Sequence, residues 1–334
     1  MTLMQKLLGA AATLVLTTGA ALAEPALIFD LGGKFDKSFN EAAFGGASRW
    51  AEEIGGKFLE IELQSEAQRE QALRRFAEAG ANPVITTGFA FASPLETVAP
   101  DYPDTKFVNI DGFLPEIPDN VLMISFQEHE GSYLVGMLAA MASETNTIGF
   151  IGGMDIPLIR HFGCGYAQGA KAVNPDIKII SNMTGTTPAA WNDPVKGSEL
   201  TKAQISGGAD VIYAAAGGTG VGVLQTAADE GILSIGVDSN QNHLHPGKVL
   251  TSMLKRVDVA VYEAMKSGVD IETGKSMVLG LAEDGVGYAM DDNNANLISE
   301  EMRSAVEDAR QKIIDGDIAV ASYYANDSCP ALDF

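Results

Sequence analysis

Short apolar runs alternate with helical stretches along this chain of 334 residues, and that alternation restricts the possible folds more than any other feature. In the first half the predicted strands are residues 26–30, 57–63, 83–88, 106–111 and 121–126, and the predicted helices are 38–54, 66–80 and the beginning of 93–103. Strands connected through helices are typical of a parallel, doubly wound sheet. We therefore predict an α/β fold.

The same pattern starts again near residue 130 and predicts a second α/β lobe, with a cleft between the two lobes. An amphipathic helix after Arg256 could return the chain to the first lobe, from which it would cross again. Several crossings would form a hinge, so each lobe would be built from discontinuous sequence. The predicted N-terminal lobe comprises 24–126 plus 256–285, and the predicted C-terminal lobe comprises 127–255 plus 286–334.

The first 23 residues have the pattern of a secretory signal peptide. Lys6 precedes an apolar stretch at 7–20, and an A-x-A cleavage pattern follows at 21–23. A membrane anchor is the alternative, although the apolar stretch is marginal for a span. Since no cysteine lies at the cleavage point, we expect no lipid attachment there. We predict a periplasmic protein that is not inserted in a membrane after cleavage.

The charge balance limits the classes of ligand. Lys and Arg together number 22 against 44 for Asp and Glu, which gives a formal net charge of −22. Such a chain should repel nucleic acid and anionic membrane surfaces. It has no basic cluster that could hold a polyphosphate. A small neutral or cationic ligand fits this balance better than a nucleotide, and we expect no nucleic-acid partner.

The chain has two cysteines, Cys164 and Cys329. An isolated pair in an oxidising compartment can form a disulfide, and a bridge over so long a loop would add roughly 5 kcal/mol in the chain-entropy account. Two separate thiols are the alternative. We predict the disulfide, which would tie down the C-terminal tail. The spacing excludes a cysteine-based zinc site.

Acids and glycines end several of the predicted strands, namely Asp30, Gly88, Asp111, Gly217 and Asp238. Ligands of open α/β sheets bind outside the carboxyl ends of the strands. Any one acid could instead be a helix cap or a turn former. The three acids together favour a binding site, and an ionised Asp accepts hydrogen bonds from hydroxyl groups.

Two aromatic side chains could bind a flat ring. Phe39 and Asn40 lie in the first turn of a predicted helix beside Asp30, while Trp191 lies in a polar loop. Core packing is the alternative for both rings. Stacking of a base on an aromatic ring contributes about 1–3 kcal/mol. Lys255, at a predicted crossing, could donate to a ligand hydroxyl, although a surface lysine is the alternative.

Residues 30–40, "DLGGKFDKSFN", are similar to the opening motif of the basic membrane protein family of solute receptors, which serve ABC importers. The resemblance continues through the whole chain after the signal peptide. Its further motifs are "GYAQGAKAVNPDIKI" (165–179), "WNDPVKG" (191–197), "DVIYAAAGGTGVGVLQTA" (210–227), "IGVDSNQ" (235–241) and "VLTSMLKRVDVAVYEA" (249–264). Many members are lipoproteins, whereas this chain has no cysteine at its predicted cleavage point.

The resemblance implies a type I periplasmic-binding fold, a purine nucleoside or nucleobase as ligand, and ABC permease subunits as partners. We expect a monomer. The resemblance also implies roles for single residues. In the first lobe Asp30 would reach the ligand, Phe39 would stack on the base and Asp111 would line the pocket. In the other lobe Trp191 would face them, Gly217 and Gly218 would let the backbone approach the ligand, and Asp238 and Lys255 would hold ribose hydroxyls. Another small neutral solute, such as a sugar, is an alternative ligand.

Motifs of catalysis are missing from the sequence. There is no G-x-S-x-G or H-E-x-x-H motif, and the glycine run at 217–222 matches neither a dinucleotide fingerprint nor a P-loop. His243 and His245 flank a loop typical of a solvated turn rather than of a metal site. We expect no cofactor, no metal and no enzymatic activity. A nucleoside hydrolase that uses Asp30 and Asp238 is the alternative, and it would need a metal or an acid–base pair.

Overall fold

The computed structural model describes residues 23–334, so the predicted signal peptide lies outside the described residues except for its last position. The strands, in chain order, are β1 (Ala26–Phe29), β2 (Leu59–Glu62), β3 (Val84–Thr87), β4 (Phe107–Ile110), β5 (Val121–Phe126), β6 (Thr147–Met154), β7 (Lys178–Gly185), β8 (Val211–Ala215), β9 (Leu233–Asp238), β10 (Val249–Lys255), β11 (Lys275–Leu279) and β12 (Val286–Tyr288). The helices are α1 (Phe39–Ile54), α2 (Gln68–Glu78), α3 (Ala92–Val98), α4 (Glu128–Ala142), α5 (Pro157–Val173), α6 (Pro194–Ser206), α7 (Thr219–Asp229), α8 (Val257–Ser267) and α9 (Glu300–Ile314).

These strands form two six-stranded sheets within the described residues. The first sheet has the order β11-β5-β4-β3-β1-β2, and the second has the order β12-β10-β9-β8-β6-β7. Strands β1, β3 and β4 are buried at every residue, as expected for central strands that helices cover on both faces. The prediction of an α/β protein with two parallel-sheet lobes is therefore confirmed.

One edge pair departs from the predicted parallel arrangement. All neighbours in the first sheet are parallel, but β12 pairs with β10 in the antiparallel sense. The reason is its connection: β12 is reached from β11 in the other sheet through residues 280–285, with no crossover helix. The rule that fixes the direction of strands in β-α-β units therefore does not apply to it.

The chain passes between the two sheets at three places: at Gln127, at Arg256 and through 280–285. These crossings are hydrogen-bonded to one another. The Gln127 amide donates to the carbonyl of Leu279 at 2.9 Å, and the Arg256 amide donates to the carbonyl of Gly285 at 2.9 Å. Helix α8 packs on α1 of the first sheet's layer, whereas α4 packs on α5 and β10 of the second. We propose that these crossings divide the chain into the two lobes given above.

The C-terminal tail returns to α5 of the second lobe. Cys164 and Cys329 form a disulfide whose Cα atoms lie 5.6 Å apart. The ring of Phe334 lies beside the ring of Tyr323 and the guanidinium of Arg160. The tail is therefore held against the helix whose first turns face the other lobe.

Candidate functional site: a cavity between the lobes

A cavity lies where the carboxyl ends of strands from both sheets face each other. The volume within which the centre of a water molecule fits is about 90 Å³. A single water needs roughly 10–15 Å³ by the same measure. The cavity can therefore hold several waters or one small organic molecule. Nine of the predicted site residues line it: Asp30, Phe39, Asn40, Gly88, Asp111, Trp191, Gly217, Asp238 and Lys255.

Gly218 is the predicted site residue that the structure does not bring to the cavity wall. It is buried beneath the loop that carries Trp191, and a Cβ at this position would lie 3.2 Å from the Trp191 carbonyl oxygen. The neighbouring Gly217, with a φ of 55°, does line the cavity. Gly218 therefore allows close packing of the Trp191 loop, which is a different role from the ligand approach implied by the family resemblance.

Asp30 follows β1 and is held by an arginine. The Arg69 guanidinium donates to both carboxylate oxygens, from Nε at 3.0 Å and from Nη2 at 3.2 Å. Burial raises the pKa of Asp30, and the charge of Arg69 opposes that rise. Two of the acceptor positions of Asp30 are thus engaged by the protein, and a ligand can reach only those that remain.

Asn40 ties the loop after β1 to helix α1. Its amide nitrogen donates to the carbonyl of Gly33 at 3.2 Å, and its amide oxygen accepts from the Thr87 hydroxyl at 2.9 Å. The buried Asn40 side chain therefore already has protein partners for its donor and its acceptor. Its position on the cavity wall fits a role in fixing the shape of the loop.

Asp36 was missed as a site residue, although it lines the cavity. Its carboxylate accepts from the backbone amides of Ser38, Asn40 and Glu41, at 2.8, 3.0 and 3.1 Å, and so caps the start of α1. Burial nevertheless raises the pKa of Asp36 to about 7. Its place within "GGKFDKSFN", three residues ahead of the helix, was the signal that could have identified it.

Lys255, the last residue of β10, is only 2% exposed and lies among acids. Its ammonium is 2.6 Å from Asp111 Oδ2 and 3.0 Å from Glu128 Oε1. Burial lowers the pKa of Lys255, but the carboxylates of Asp111, Glu128 and Asp238 outweigh burial and raise the pKa above its usual value. The cavity therefore presents a permanent cation whose charge the surrounding acids balance.

Asp111 and Asp238 share an unusual backbone conformation. Their φ angles are 75° and 63°, in the left-handed region that non-glycine residues rarely adopt. Strained positions of this kind concentrate at functional sites. Asp111 Oδ1 is buried and has no hydrogen-bond partner among the described residues, so the protein leaves this acceptor unused.

The start of α1 also bonds directly to the opposite lobe. The Ser38 hydroxyl donates to the Asp238 carboxylate, and the Ser239 hydroxyl donates to the Ser38 carbonyl at 2.9 Å. The side-chain amide of Gln241 donates to the Lys37 carbonyl at 2.8 Å. These hydrogen bonds connect the lobes on one side of the cavity. The structure therefore represents a closed arrangement of the two lobes.

Aromatic rings from both lobes face the cavity. Phe39 and Phe89 come from the first lobe, and Phe162 and Trp191 from the second. The Trp191 ring lies over Gly153 of β6, where a Cβ would come within 2.2 Å of its Cζ3 atom. Phe162 was missed because it lies on an apolar helix face that looks the same in sequence whether it packs on a core or on a ligand.

Residues 23–334 contain neither a membrane-spanning helix nor a metal-binding cluster. No helix in residues 23–334 is both long and apolar enough to cross a membrane. Within the same residues, no group of three or more His, Cys, Asp or Glu side chains is arranged to hold a metal ion.

Comparison with known proteins now assigns the family. The model of the Bmp family, described as "ABC transporter substrate-binding protein PnrA-like", matches residues 24–323. The chain belongs to the Bmp family. The family predicted from the sequence motifs is thereby confirmed.

Relatives of similar length support the Bmp assignment. The CD4+ T-cell-stimulating antigen of Listeria monocytogenes is 33% identical over 321 residues, which are 88% of this chain and 87% of that protein. Basic membrane protein A of Borreliella burgdorferi is 32% identical over 312 residues, covering 91% and 89% of the two chains.

A solved structure agrees in the same way. The ABC transporter system solute-binding protein from Aeropyrum pernix K1 superposes with a TM-score of 0.83 at 30% identity, covering 91% of this chain and 95% of that one. The type I periplasmic-binding fold is thus confirmed. As a Bmp-family protein, the chain is a solute-binding component of an ABC transporter, with a small-molecule ligand and a permease as its partners.

Proposed function

We propose that this Bmp-family protein is a periplasmic receptor that closes its two lobes around a purine nucleoside and presents it to an ABC importer. The observation that carries this proposal is one cavity that combines aromatic rings from opposite lobes, Phe39 and Trp191, with the charged groups Asp111, Asp238 and Lys255. Rings suit a flat heterocycle, and carboxylates with an ammonium suit the hydroxyl groups of a sugar.

The charge of the cavity favours an unphosphorylated ligand. Asp30, Asp36, Asp111 and Asp238 line it together with a single lysine, Lys255. Arg69 is nearby, but its guanidinium is engaged by Asp30. A phosphate would be placed among carboxylates without a free cation to balance it, so a nucleoside is favoured over a nucleotide.

Closure follows from the distribution of these groups between lobes. A ligand held by residues of both lobes binds the closed form better than the open form and so shifts the population towards closure. The interlobe hydrogen bonds of Ser38, Ser239 and Gln241 would then form or strengthen as the ligand binds. We propose that this closed form is the one that the permease recognises.

Calorimetry on the purified protein without its signal peptide tests the ligand class. We expect inosine, adenosine or guanosine to bind at least tenfold more tightly than ribose, and the matching nucleotides to bind weakly or not at all. Mass spectrometry of ligand released on denaturation provides an independent identification. Tight binding of a free sugar with no binding of any purine would overturn the proposal.

The same preparation tests the hydrolase alternative. Inosine should be recovered intact after long incubation with the receptor, whereas a hydrolase would release hypoxanthine. Release of free base in proportion to protein concentration, abolished by Asp238→Asn, would show an enzyme instead of a receptor.

A further inference from the structure

Glu128 is a buried acid that the binding site described above does not use. It is the first residue of α4, directly after the crossing at Gln127, and is 1% exposed. It does not line the cavity. Its Oε1 atom lies 3.0 Å from the Lys255 ammonium, and neither carboxylate oxygen has a hydrogen bond of good geometry within residues 23–334.

The partners of Lys255 differ in the lobe to which they belong. Asp111 follows β4 of the first sheet, whereas Lys255 ends β10 of the second, so their 2.6 Å contact joins the two lobes. Glu128 begins α4, which packs directly on β10. When the lobes separate, Asp111 moves away from Lys255, but Glu128 keeps its place beside it.

A counter-ion in its own lobe would stabilise Lys255 after the lobes separate. In the closed protein the ammonium is enclosed by the rings of Phe39 and Phe126 of the first lobe and Phe162 of the second, whose centroids lie 5.3, 5.1 and 5.4 Å away. Removing one partner of a buried ion pair is strongly destabilising because it leaves a charge uncompensated. Without Glu128, separation of the lobes would deprive Lys255 of its closest counter-ions.

The far side of Glu128 is closed by neutral groups. His161 Nε2 lies 3.9 Å from Glu128 Oε2, and its Nδ1 accepts from the Tyr323 backbone amide at 3.2 Å. Burial lowers the pKa of His161 to about 2, so its ring stays uncharged and does not compete with Lys255. The rings of His129 and Tyr324 lie beside that of His161, with centroids 4.1 and 4.4 Å away and tilts of 39° and 32°. Lys255 is therefore the cation that faces Glu128.

We propose that Glu128 is a positioning residue that holds the Lys255 ammonium at the cavity wall in both the open and the closed protein, and thereby sets the affinity for the hydroxyl-bearing part of the ligand. This inference rests on the proposed function, in which Lys255 contacts ribose. Glu128 itself touches no ligand. Glu128 affects binding by fixing the position of the Lys255 ammonium.

Glu128→Gln keeps the shape of the side chain and removes its ionisable carboxyl. Burial raises the pKa of Glu128 to about 7, with Lys255 opposing the rise, so the affinities are compared at pH 8, where the wild-type carboxylate is ionised. We expect the affinity of Glu128→Gln for inosine to fall at least tenfold, while its affinity for hypoxanthine, which has no ribose, changes less than threefold. Glu128→Asp keeps a carboxylate but on a side chain one methylene shorter, so its distance to Lys255 is greater and we expect it to recover part of the lost affinity. Glu130→Gln, two positions along the same helix, is the matched control, since its carboxylate bonds to the Leu281 amide and not to Lys255.

A purely structural role for Glu128 would lower the affinities for inosine and hypoxanthine equally. Equal losses, or no loss, would overturn the inference. If the wild-type protein binds neither compound, the proposed function fails, and the position of Lys255 is then tested without ligand.

That second measurement is NMR of the lysine ammonium groups in the ligand-free protein. A buried, paired ammonium exchanges its protons slowly and is visible, and Lys255→Arg assigns the signal. We expect this signal in the wild type and in Glu130→Gln, and its loss in Glu128→Gln. An unchanged signal in Glu128→Gln would show that Lys255 does not depend on Glu128.

Discussion

Single side chains at the strand ends determine what the cavity can bind. Asp111 and Asp238 offer acceptor oxygens from a left-handed backbone conformation, while Asp30 has much of its acceptor capacity taken by Arg69. Acids that are equivalent in sequence thus differ in the number of lone pairs left for a ligand. We expect Asp238 and Asp111 to contribute more to binding than Asp30.

Trp191→Ala should weaken nucleoside binding by tenfold or more, because it removes a stacking contribution of about 1–3 kcal/mol. Isothermal calorimetry with inosine measures the change. Phe113→Ala is a matched control, since Phe113 is 80% exposed and does not line the cavity. An unchanged affinity in Trp191→Ala would remove this ring from the binding site.

Acidification should weaken nucleoside binding through Asp238. Burial raises the pKa of Asp238 to about 6, with Lys255 and Ser38 opposing the rise and Asp111 adding to it. The protonated carboxyl loses its strength as an acceptor, so we expect inosine affinity to fall roughly tenfold between about pH 7.5 and pH 5. Asp238→Asn should bind inosine more weakly at neutral pH and show a smaller pH dependence, although Asp36 also titrates near this range.

The effect of Asp238 on stability should have the opposite sign. Its pKa in the folded protein is raised above the usual value of an aspartate, about 3.9, so its contribution to the free energy of unfolding is fully present below about pH 4 and is lost as the pH rises through about 6. Denaturant unfolding of the wild type and Asp238→Asn across this range measures the difference. An equal pH dependence in the two proteins would contradict the assignment.

At the level of elements, strands support the binding groups from beneath. Gly153 of β6 lies under the Trp191 ring, and Gly88 follows β3 with a φ of 105° beside Asp30. Neither glycine brings a functional group to the cavity. Both leave the space that lets a neighbouring side chain reach it.

Gly153→Ala should displace the Trp191 ring, because the added methyl group would come within 2.2 Å of Cζ3. We expect a loss of inosine affinity similar to that of Trp191→Ala, together with a changed tryptophan fluorescence spectrum. Gly220→Ala in α7 is the control, since its methyl group would lie at an ordinary 3.6 Å from Ala214 Cβ. Full affinity in Gly153→Ala would show that the ring has room to move.

At the level of the whole molecule, the crossings join the two lobes, and the disulfide-bound tail packs on the second lobe. The crossings at Gln127, Arg256 and 280–285 meet beside the buried group of Lys255, Asp111 and Glu128. The disulfide from Cys329 fixes the tail to α5, whose Leu158, Ile159 and Phe162 line the cavity. The cavity, the crossings and the helix that holds the tail are therefore neighbours in the folded protein.

Replacing both cysteines by alanine should lower the free energy of unfolding by about 2–5 kcal/mol, because the bridge closes a loop between positions 165 residues apart. Guanidinium unfolding of the oxidised protein and the double variant measures the loss. Inosine affinity at low temperature should change little, since neither sulfur lines the cavity. Equal unfolding midpoints and slopes would contradict a stabilising bridge.

Sequence alone determined the two α/β lobes, the family and nine of the nineteen residues that line the cavity. Apolar periodicity is set by neighbours within a few residues, and the carboxyl ends of parallel strands meet at one edge of a sheet. Asp30 and Asp111 could therefore be predicted to lie at one edge of the first sheet, and Asp238 at the corresponding edge of the second. The aromatic residues Phe39 and Trp191 were recognisable because each lies within a motif of the family.

Only the tertiary structure decided which polar groups are paired. Arg69 lies 39 positions from Asp30, and Lys255 lies 144 from Asp111, so no local pattern separates these cations from surface ones. The burial of Glu128, the covered position of Gly218 and the antiparallel β12 have the same origin. Each depends on where segments distant in sequence come to rest, because charge pairing and close packing act through space rather than along the chain.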